Sequence, residues 1–574
     1  MKKRVRLLGI VAVLATMGFL MMGCDSPTNN NNGIENGNGD NNGNGNGNGN
    51  GNGDNNGDNN GNGNGNGNGN GDNNGNGDNN GNGNGDNNGN DGIGTLTFRR
   101  SGAGYEVSGF TGTLVSGALV IPDTHNGLPI LSVGEDALGY WVFGENELTS
   151  LTIGDNVIRI RQGAFFGNSL ANITFGNSVE IIENEAFRGN QLTAVILPAS
   201  IETIGERVFA DNPGGFMFIQ TDGGLEVFGF IGTATGELVI PDYHNELPVI
   251  AIGSGAFYSS PITGITIPYG IIHIRWQAFR NSQLTSVEIP DSVVSLGGQA
   301  FYNNSQLTSV ILSENIEVIS WQIFFGSGLT EVVIPNSVKT IYSQAFANNQ
   351  IVSLELGNSV ETIYWRAFYG NQIASVVIPD SLTEIYVEVF RNNQITSVEL
   401  GNSVETIYWR AFYGNQITSV VIPDGVIYIE GRAFENNQLT SVIIGNGVEY
   451  IGHMAFYNNQ LISAIIGSSV EYIGDQAFYN NQIASLKLGD SVEHIGDGAF
   501  NHNQIASLEL GNSVKHIGNW AFANNKIVSV EIPDSVMSID FCAFWYNQIT
   551  AVSVPYHTDL HYNAFDANVS ITRR

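Results

Sequence analysis

The amino-acid sequence predicts a solenoid, a stack of short coils sharing one core, and two observations carry that prediction. The first is self-similarity at a fixed period. Phenylalanine, mostly behind alanine, stands at 257, 279, 301 and 324, then every 22 residues from Phe346 to Phe544, and closes at Phe565 after a spacing of 21. An earlier block repeats the pattern at Phe165, Phe187 and Phe209, with Ala137-Leu138 as a degenerate first member, which makes nineteen units. Residues 355–373 and 399–417 are identical over 19 positions, so two whole units have been copied together. The second observation is that a unit of 22 residues carries more apolar side chains than it can enclose alone. Stacking copies buries them, Phe over Phe and Ile over Ile.

Each part of the unit has a physical reading. A representative copy from Asn481 runs N-Q-I-A-S-L-K-L-G-D-S-V-E-H-I-G-D-G-A-F-N-H. Ile-Ala-Ser-Leu-Lys-Leu alternates with period two around Leu486 and Leu488 and suits a short strand. Gly-Asp-Ser, Pro-Asp-Ser or Gly-Asn-Ser then turns the chain. Val492, Ile495, Ala499 and Phe500 follow at spacings of 3, 4 and 1, an apolar stripe expected on a short helical turn. Strands about 4.8 Å apart would form one long parallel sheet, so the nineteen units would extend roughly 90 Å. Asn349, Asn371, Asn393, Asn415, Asn437, Asn459, Asn481 and Asn503 recur just before the strand and read as a buried ladder bonding turn backbones, not as ligands.

Two segments interrupt the period. Tyr105–Phe110 leads to Ile121-Pro122-Asp123 and Leu128-Pro129-Ile130, and Leu225–Phe230 leads to Ile240-Pro241-Asp242 and Leu247-Pro248-Val249. They align at an offset of 120, falling to 119 after one loop deletion. An atypical terminal unit shields the first apolar layer from water, so residues 93–134 read as an N-terminal β cap. Residues 216–253 read as an internal copy of it, between a first repeat block at 135–215 and a second at 254–574 that ends in its own cap.

The N-terminus reads as an address. Lys2, Lys3, Arg4 and Arg6 precede an apolar run from Leu7 to Met22, too short for comfort in a ~30 Å hydrocarbon core that needs about 20 residues. The break Leu20-Met21-Met22-Gly23-Cys24 resembles a bacterial lipoprotein signal, which implies cleavage after residue 23 and lipidation of Cys24. From Asp25 to Gly92, 68 residues contain 32 Asn and 23 Gly, and no aromatic. Nothing there offsets the entropy of ordering, so residues 24–92 are expected to be a disordered tether with a root-mean-square span near 45 Å. Its only Glu, Glu35, precedes the Asp-Asn-Asn-Gly pieces, which leaves them without the ligand an EF-hand loop requires.

Composition excludes other classes. With 54 acidic against 22 basic residues the net charge is −32, opposite to the basic face a nucleic-acid binder presents to phosphates. Two cysteines exclude a disulfide framework and a Cys-rich zinc site.

The recurring pattern N-x-[LI]-T-S-V-x-I-P-x-S-V-x-x-I-x-x-x-A-F resembles the BspA-like class of leucine-rich repeats over roughly residues 130–570. The resemblance implies a right-handed leucine-rich-repeat solenoid with a parallel β-sheet on its concave face and short helical or 3₁₀ segments on the convex face. It also implies partners such as a host extracellular-matrix or plasma protein, or another cell's surface protein.

No motif for catalysis stands out. His494 and His516 hold equivalent positions, after Tyr450 and Tyr472, and could share a metal only if carboxylate or Cys ligands joined them; they read as an exposed ladder. Serine precedes the central strand residue in nearly every unit (Ser375, Ser397, Ser419, Ser441, Ser463), which marks a structural row and not a nucleophile. Cys542 reads as a buried free thiol. No enzyme and no cofactor is expected.

The outward residue at mid-strand is readable along the array: Glu288, Ile311, Val333, Glu355, Val377, Glu399, Val421, Ile443, Ile465, Lys487, Glu509 and Glu531. The last eight are the expected binding face. Val421, Ile443 and Ile465 form an apolar run across three strands, while Glu509 and Glu531 form an acidic patch. β-Branched residues also simply suit strands. The expected function is therefore a surface-anchored adhesin or protein-binding lipoprotein, exported and held in the outer membrane by lipid. The alternatives are a spacer rod, surface or periplasmic, and a glycan-binding module using Tyr364 and Trp365 or their copies Tyr408 and Trp409.

Overall fold

The structure, a computed structural model, describes residues 94–112, 117–134 and 141–574, all within one compact unit. The signal sequence, Cys24, the Asn/Gly segment, and Ala137 and Leu138 lie outside the described residues.

Parallel strands stack coil on coil at the 22-residue period, and together with the two cap modules they make about 21 turns of a solenoid. Most coils contribute to two hydrogen-bonded ladders. Ladder A is built from the S-V-x segments, three or four residues each, as in Ser419–Ile422, Ser441–Ile444 and Ser463–Ile465. Ladder B is built from two-residue strands ending on the recurring Ile, as in Tyr428–Ile429 and Tyr450–Ile451. The long continuous sheet is ladder B, twelve strands from Val318–Ile319 to Asp559–Leu560. In the second block ladder A, expected as the unbroken sheet, is divided into sheets of two or three strands.

Helical segments are the second departure from expectation: the described residues contain none. The Val-x-x-Ile spacing is met instead by a turn at Asp490 and Ser491, closed by Val492 N–H to Gly489 O at 3.3 Å, and the strand His494–Ile495. Backbone bonds run to the preceding coil, Gly496 N–H to Ile473 O at 2.8 Å and Glu493 N–H to Glu471 O at 2.9 Å, and those along the segment are isolated single turns such as Ala499 N–H to Gly496 O at 3.2 Å. Left-handed residues recur third after the Ile, at Arg366 (φ 55°), Arg410 (φ 55°) and Arg432 (φ 60°), and a right-handed helix cannot contain them. This third wall is also bonded between coils, with Phe412 N–H to Ala433 O at 2.9 Å.

The core is a column of phenylalanines. From Phe257 to Phe565 each ring lies 4.9–5.6 Å from the next, within 15° of parallel. In the first block the column is Phe143, Phe165, Phe187 and Phe209. Phe143, 22 residues before Phe165, therefore occupies the first rung that the sequence assigned to Leu138; the register of the turn, not the Ala-x pair, selects it. The buried asparagines stitch adjacent coils: Asn415 Nδ2 donates to Phe390 O at 2.9 Å and Phe412 O at 3.1 Å, while its Oδ1 accepts from Ile395 N–H at 3.1 Å.

Both interrupting segments fold as an antiparallel hairpin, Thr95–Ser101 with Gly104–Thr111 and Gly215–Thr221 with Gly224–Ile231, each with the same bulge. The second strand of each hairpin then pairs in parallel with the strand that starts ladder B, Leu128–Val133 and Leu247–Ile252. In the internal copy the first strand also pairs with ladder A of the preceding block, Val195 to Met217 and Leu197 to Ile219. Ladder A thus runs into this hairpin, whereas the first block's ladder B stops at Thr203–Ile204 and the phenylalanine column stops at Phe209. The core divides there into two clusters.

Candidate functional site

The outer face of ladder A is set by the period of two. In Ser419–Ile422 the second and fourth residues, Val420 and Ile422, are buried, so Ser419 and Val421 point outward. The parallel register places Val421 beside Ile443 and Ile443 beside Ile465. These three side chains are 60 %, 44 % and 60 % exposed, an apolar strip on water. Ile462, 58 % exposed, extends it at the position before Ser463; sequence reasoning passed over it because Thr418 and Thr440 occupy that row elsewhere.

The other expected face residues are exposed as well, but the breaks in ladder A separate them into groups. Val377 pairs with Glu399 in a two-strand sheet, and Lys487 with Glu509 in another. Lys487 Nζ lies 2.9 Å from Glu509 Oε2, and this bond raises the lysine pKa. The acidic patch expected from Glu509 and Glu531 is therefore half neutralised. Glu531 stands on a coil without an assigned strand, between buried Val530 and Ile532. A groove of about 260 Å³ opens between Ser353–Glu355 and Ser375–Val377, where adjacent strands do not pair, and Val377 lines it.

Comparison with known proteins decides what this stack is. The family model described as BspA type leucine rich repeat region (6 copies) matches residues 136–214, 230–352, 339–463 and 449–572. The chain belongs to the BspA-type leucine-rich-repeat family. No curated protein sequence matches it. Among solved structures it is similar to a leucine-rich repeat protein from Bacteroides ovatus, at 21 % identity over 84 % of this chain and 98 % of that one, with a TM-score of 0.35. It is also similar to a leucine rich cell surface protein from Faecalibacterium prausnitzii, at 22 % identity over 62 % of this chain and 92 % of that one, with a TM-score of 0.32.

The outer face of this BspA-type ladder B is aromatic. Tyr342, Tyr364, Tyr386 and Tyr408 follow the Ile and stack in a column 5.2–5.4 Å apart. At the next coil the ring moves to the other side of the Ile, and Tyr428, Tyr450, Tyr472, His494 and His516 continue the row. Burial, helped by Glu384 beside it, pushes the Tyr408 hydroxyl up to about 12. Burial and the neighbouring His516 lower the His494 pKa, and His516 Nδ1 meets Ser538 Oγ at 3.1 Å. Among the described residues no group of three potential metal ligands forms around this pair or elsewhere.

The rings proposed for stacking on sugars have little free face. Tyr364 lies between Tyr342 at 5.2 Å and Tyr386 at 5.4 Å, and Tyr408 lies flat against Tyr386 at 5.2 Å. Arg366 covers Trp365 at 4.5 Å, and Arg410 and Arg432 both approach Trp409 at 5.4 Å. Arg432 pairs with Glu435 at 3.1 Å, and the other two arginines are held by Glu388, 4 % exposed, which accepts from Arg366 at 2.5 Å and from Arg391, with Arg410 at 3.5 Å. Burial opposes ionisation of Glu388, but the two hydrogen bonds outweigh it and hold its pKa below the usual carboxylate value.

Proposed function

We propose that this protein is a non-enzymatic adhesin or protein-binding module displayed at the bacterial cell surface. The observation that carries the reading is the strip of Val421, Ile443 and Ile465, brought side by side by the ladder A register and left exposed. Val377 and Glu399 flank it on one side, Lys487, Glu509 and Glu531 on the other, and these supply polar contacts around an apolar centre. The partner is a host extracellular-matrix or plasma protein, or a protein of another cell's surface. The lipoprotein-like sequence ending at Cys24 anchors the chain in the outer membrane, and the Asn/Gly tether lifts the solenoid from it.

Replacing Val421, Ile443 and Ile465 together by Asp should abolish capture of matrix or plasma proteins while leaving the melting temperature within a few degrees, because all three side chains already face water. Unchanged capture removes this face from the reading. Globomycin should cause an unprocessed precursor to accumulate, and protease treatment of intact cells should release the repeat domain; protection of the domain would place it in the periplasm instead.

A further inference from the structure

The last three coils carry a second cluster of aromatic side chains with a different geometry from the columns upstream. Ring contacts run without a gap from Tyr546 to Trp545 (4.6 Å), Trp520 (5.5 Å), Phe541 (5.5 Å), His561 (5.2 Å) and Tyr562 (4.5 Å). Three of these contacts cross at 68–88° and the other two are tilted by 38° and 31°. No pair is stacked, so these rings are not covered face to face as they are in the tyrosine column. Tyr546 is 59 % and Tyr562 83 % exposed.

Two further observations point to a ligand. The cluster holds polar groups that the chain leaves unused: the indole N–H groups of Trp520 and Trp545, the hydroxyls of Tyr546 and Tyr562, and the Asp540 carboxylate have no hydrogen-bond partner among the described residues. His561 Nδ1 accepts from Asn563 N–H at 3.2 Å, which leaves Nε2 as the N–H donor, and the Ile539–Leu560 register places His561 next to Asp540. The backbone also bears a cost there. Tyr546 has φ 55°, at a position where the preceding coils place Asn524, His502, Asn480, Asn458, Asn436, Gly414 and Asn392, nearly all of them residues that tolerate left-handed geometry. Trp520, at φ 59°, shares its row with left-handed Gln476, Met454, Arg432 and Arg410, so only Tyr546 departs from the residues usual at its position. A bulky ring held at the left-handed position of Tyr546 indicates a retained use for it.

We infer that this C-terminal aromatic cluster is a binding site for an uncharged oligosaccharide. Pyranose rings offer C–H faces that pack on the open faces of Trp545, Tyr546 and Tyr562, and hydroxyls that pair with the free indole, phenol, imidazole and carboxylate groups. The Asp540 and Asp566 carboxylates, in a chain of net charge −32, oppose acidic sugars. The site is separate from the ladder A strip and from the tyrosines and tryptophans at 364–409.

Affinity gel electrophoresis of the full-length chain through dextran, mannan, glycogen and xyloglucan, with polygalacturonate as the acidic control, tests this. Retardation in at least one neutral polymer, absent in polygalacturonate, is expected. The Trp545→Ala, Tyr562→Ala double variant should weaken it tenfold or more. Tyr546→Asn should also weaken it while holding or raising the melting temperature, which separates lost binding from lost folding. The Val421, Ile443, Ile465 triple Asp variant should be retarded like the parent. No retardation in any neutral polymer overturns the inference, and so does equal retardation of parent and cluster variants.

Discussion

At the scale of single residues, the repeat is specified by groups that satisfy backbone atoms between coils. Asn415 leaves three buried partners when shortened, the Phe390 and Phe412 carbonyls and the Ile395 N–H. Asn415→Ala should therefore cost about 3 kcal/mol, more than its side-chain volume suggests, since unsatisfied buried groups carry about 1–3 kcal/mol each. Urea denaturation reads that directly. Glu388 makes a prediction about acid. Its pKa is depressed in the folded chain, so its contribution is present at neutral pH and is lost as pH falls from about 4.5 through the folded value. Glu388→Gln should lower stability at pH 7 by about 2 kcal/mol, discounted for partly exposed arginines, and flatten the stability profile between pH 5 and 3. Glutamine already holds this position at Gln344 (φ 58°) and Gln476 (φ 56°), so the backbone accepts it and the change reports the charge.

At the scale of elements, the internal hairpin is a joint. Met217 and Ile219 pack on the first core cluster, whereas the corresponding residues of the N-terminal hairpin are Thr97 and Arg99. The same fold thus faces the outside in one place and a preceding block in the other, and the side chains of its first strand make the difference. Replacing Met217 and Ile219 by Asp should uncouple the blocks, seen as two calorimetric transitions where the parent shows one. A single transition in the variant would mean that ladder A pairing alone carries the cooperativity.

At the scale of the whole molecule, stability in a repeat array approximates a sum over units and their interfaces. Glu355 and Glu399 begin identical 19-residue stretches, so deleting residues 356–399 joins the chain at equivalent points. The shortened protein should fold, melt within about 5 °C of the parent, and keep partner capture through Val421, Ile443 and Ile465. Loss of capture with folding intact would show that the face extends back to Val377.

The sequence by itself determined the period, the phenylalanine column, the asparagine ladder and which mid-strand residues face outward, because identical units in identical surroundings must repeat the same contacts. Only the tertiary structure decided the rest. It showed that left-handed turns and bonds between coils replace helices, because 22-residue coils this tight satisfy their backbone across the stack. It put Phe143 on the first rung, paired Lys487 with Glu509, sandwiched Tyr364 between Tyr342 and Tyr386, and left Tyr546 exposed. Those outcomes depend on how each coil's side chains meet the next, information that a linear pattern carries only as spacing.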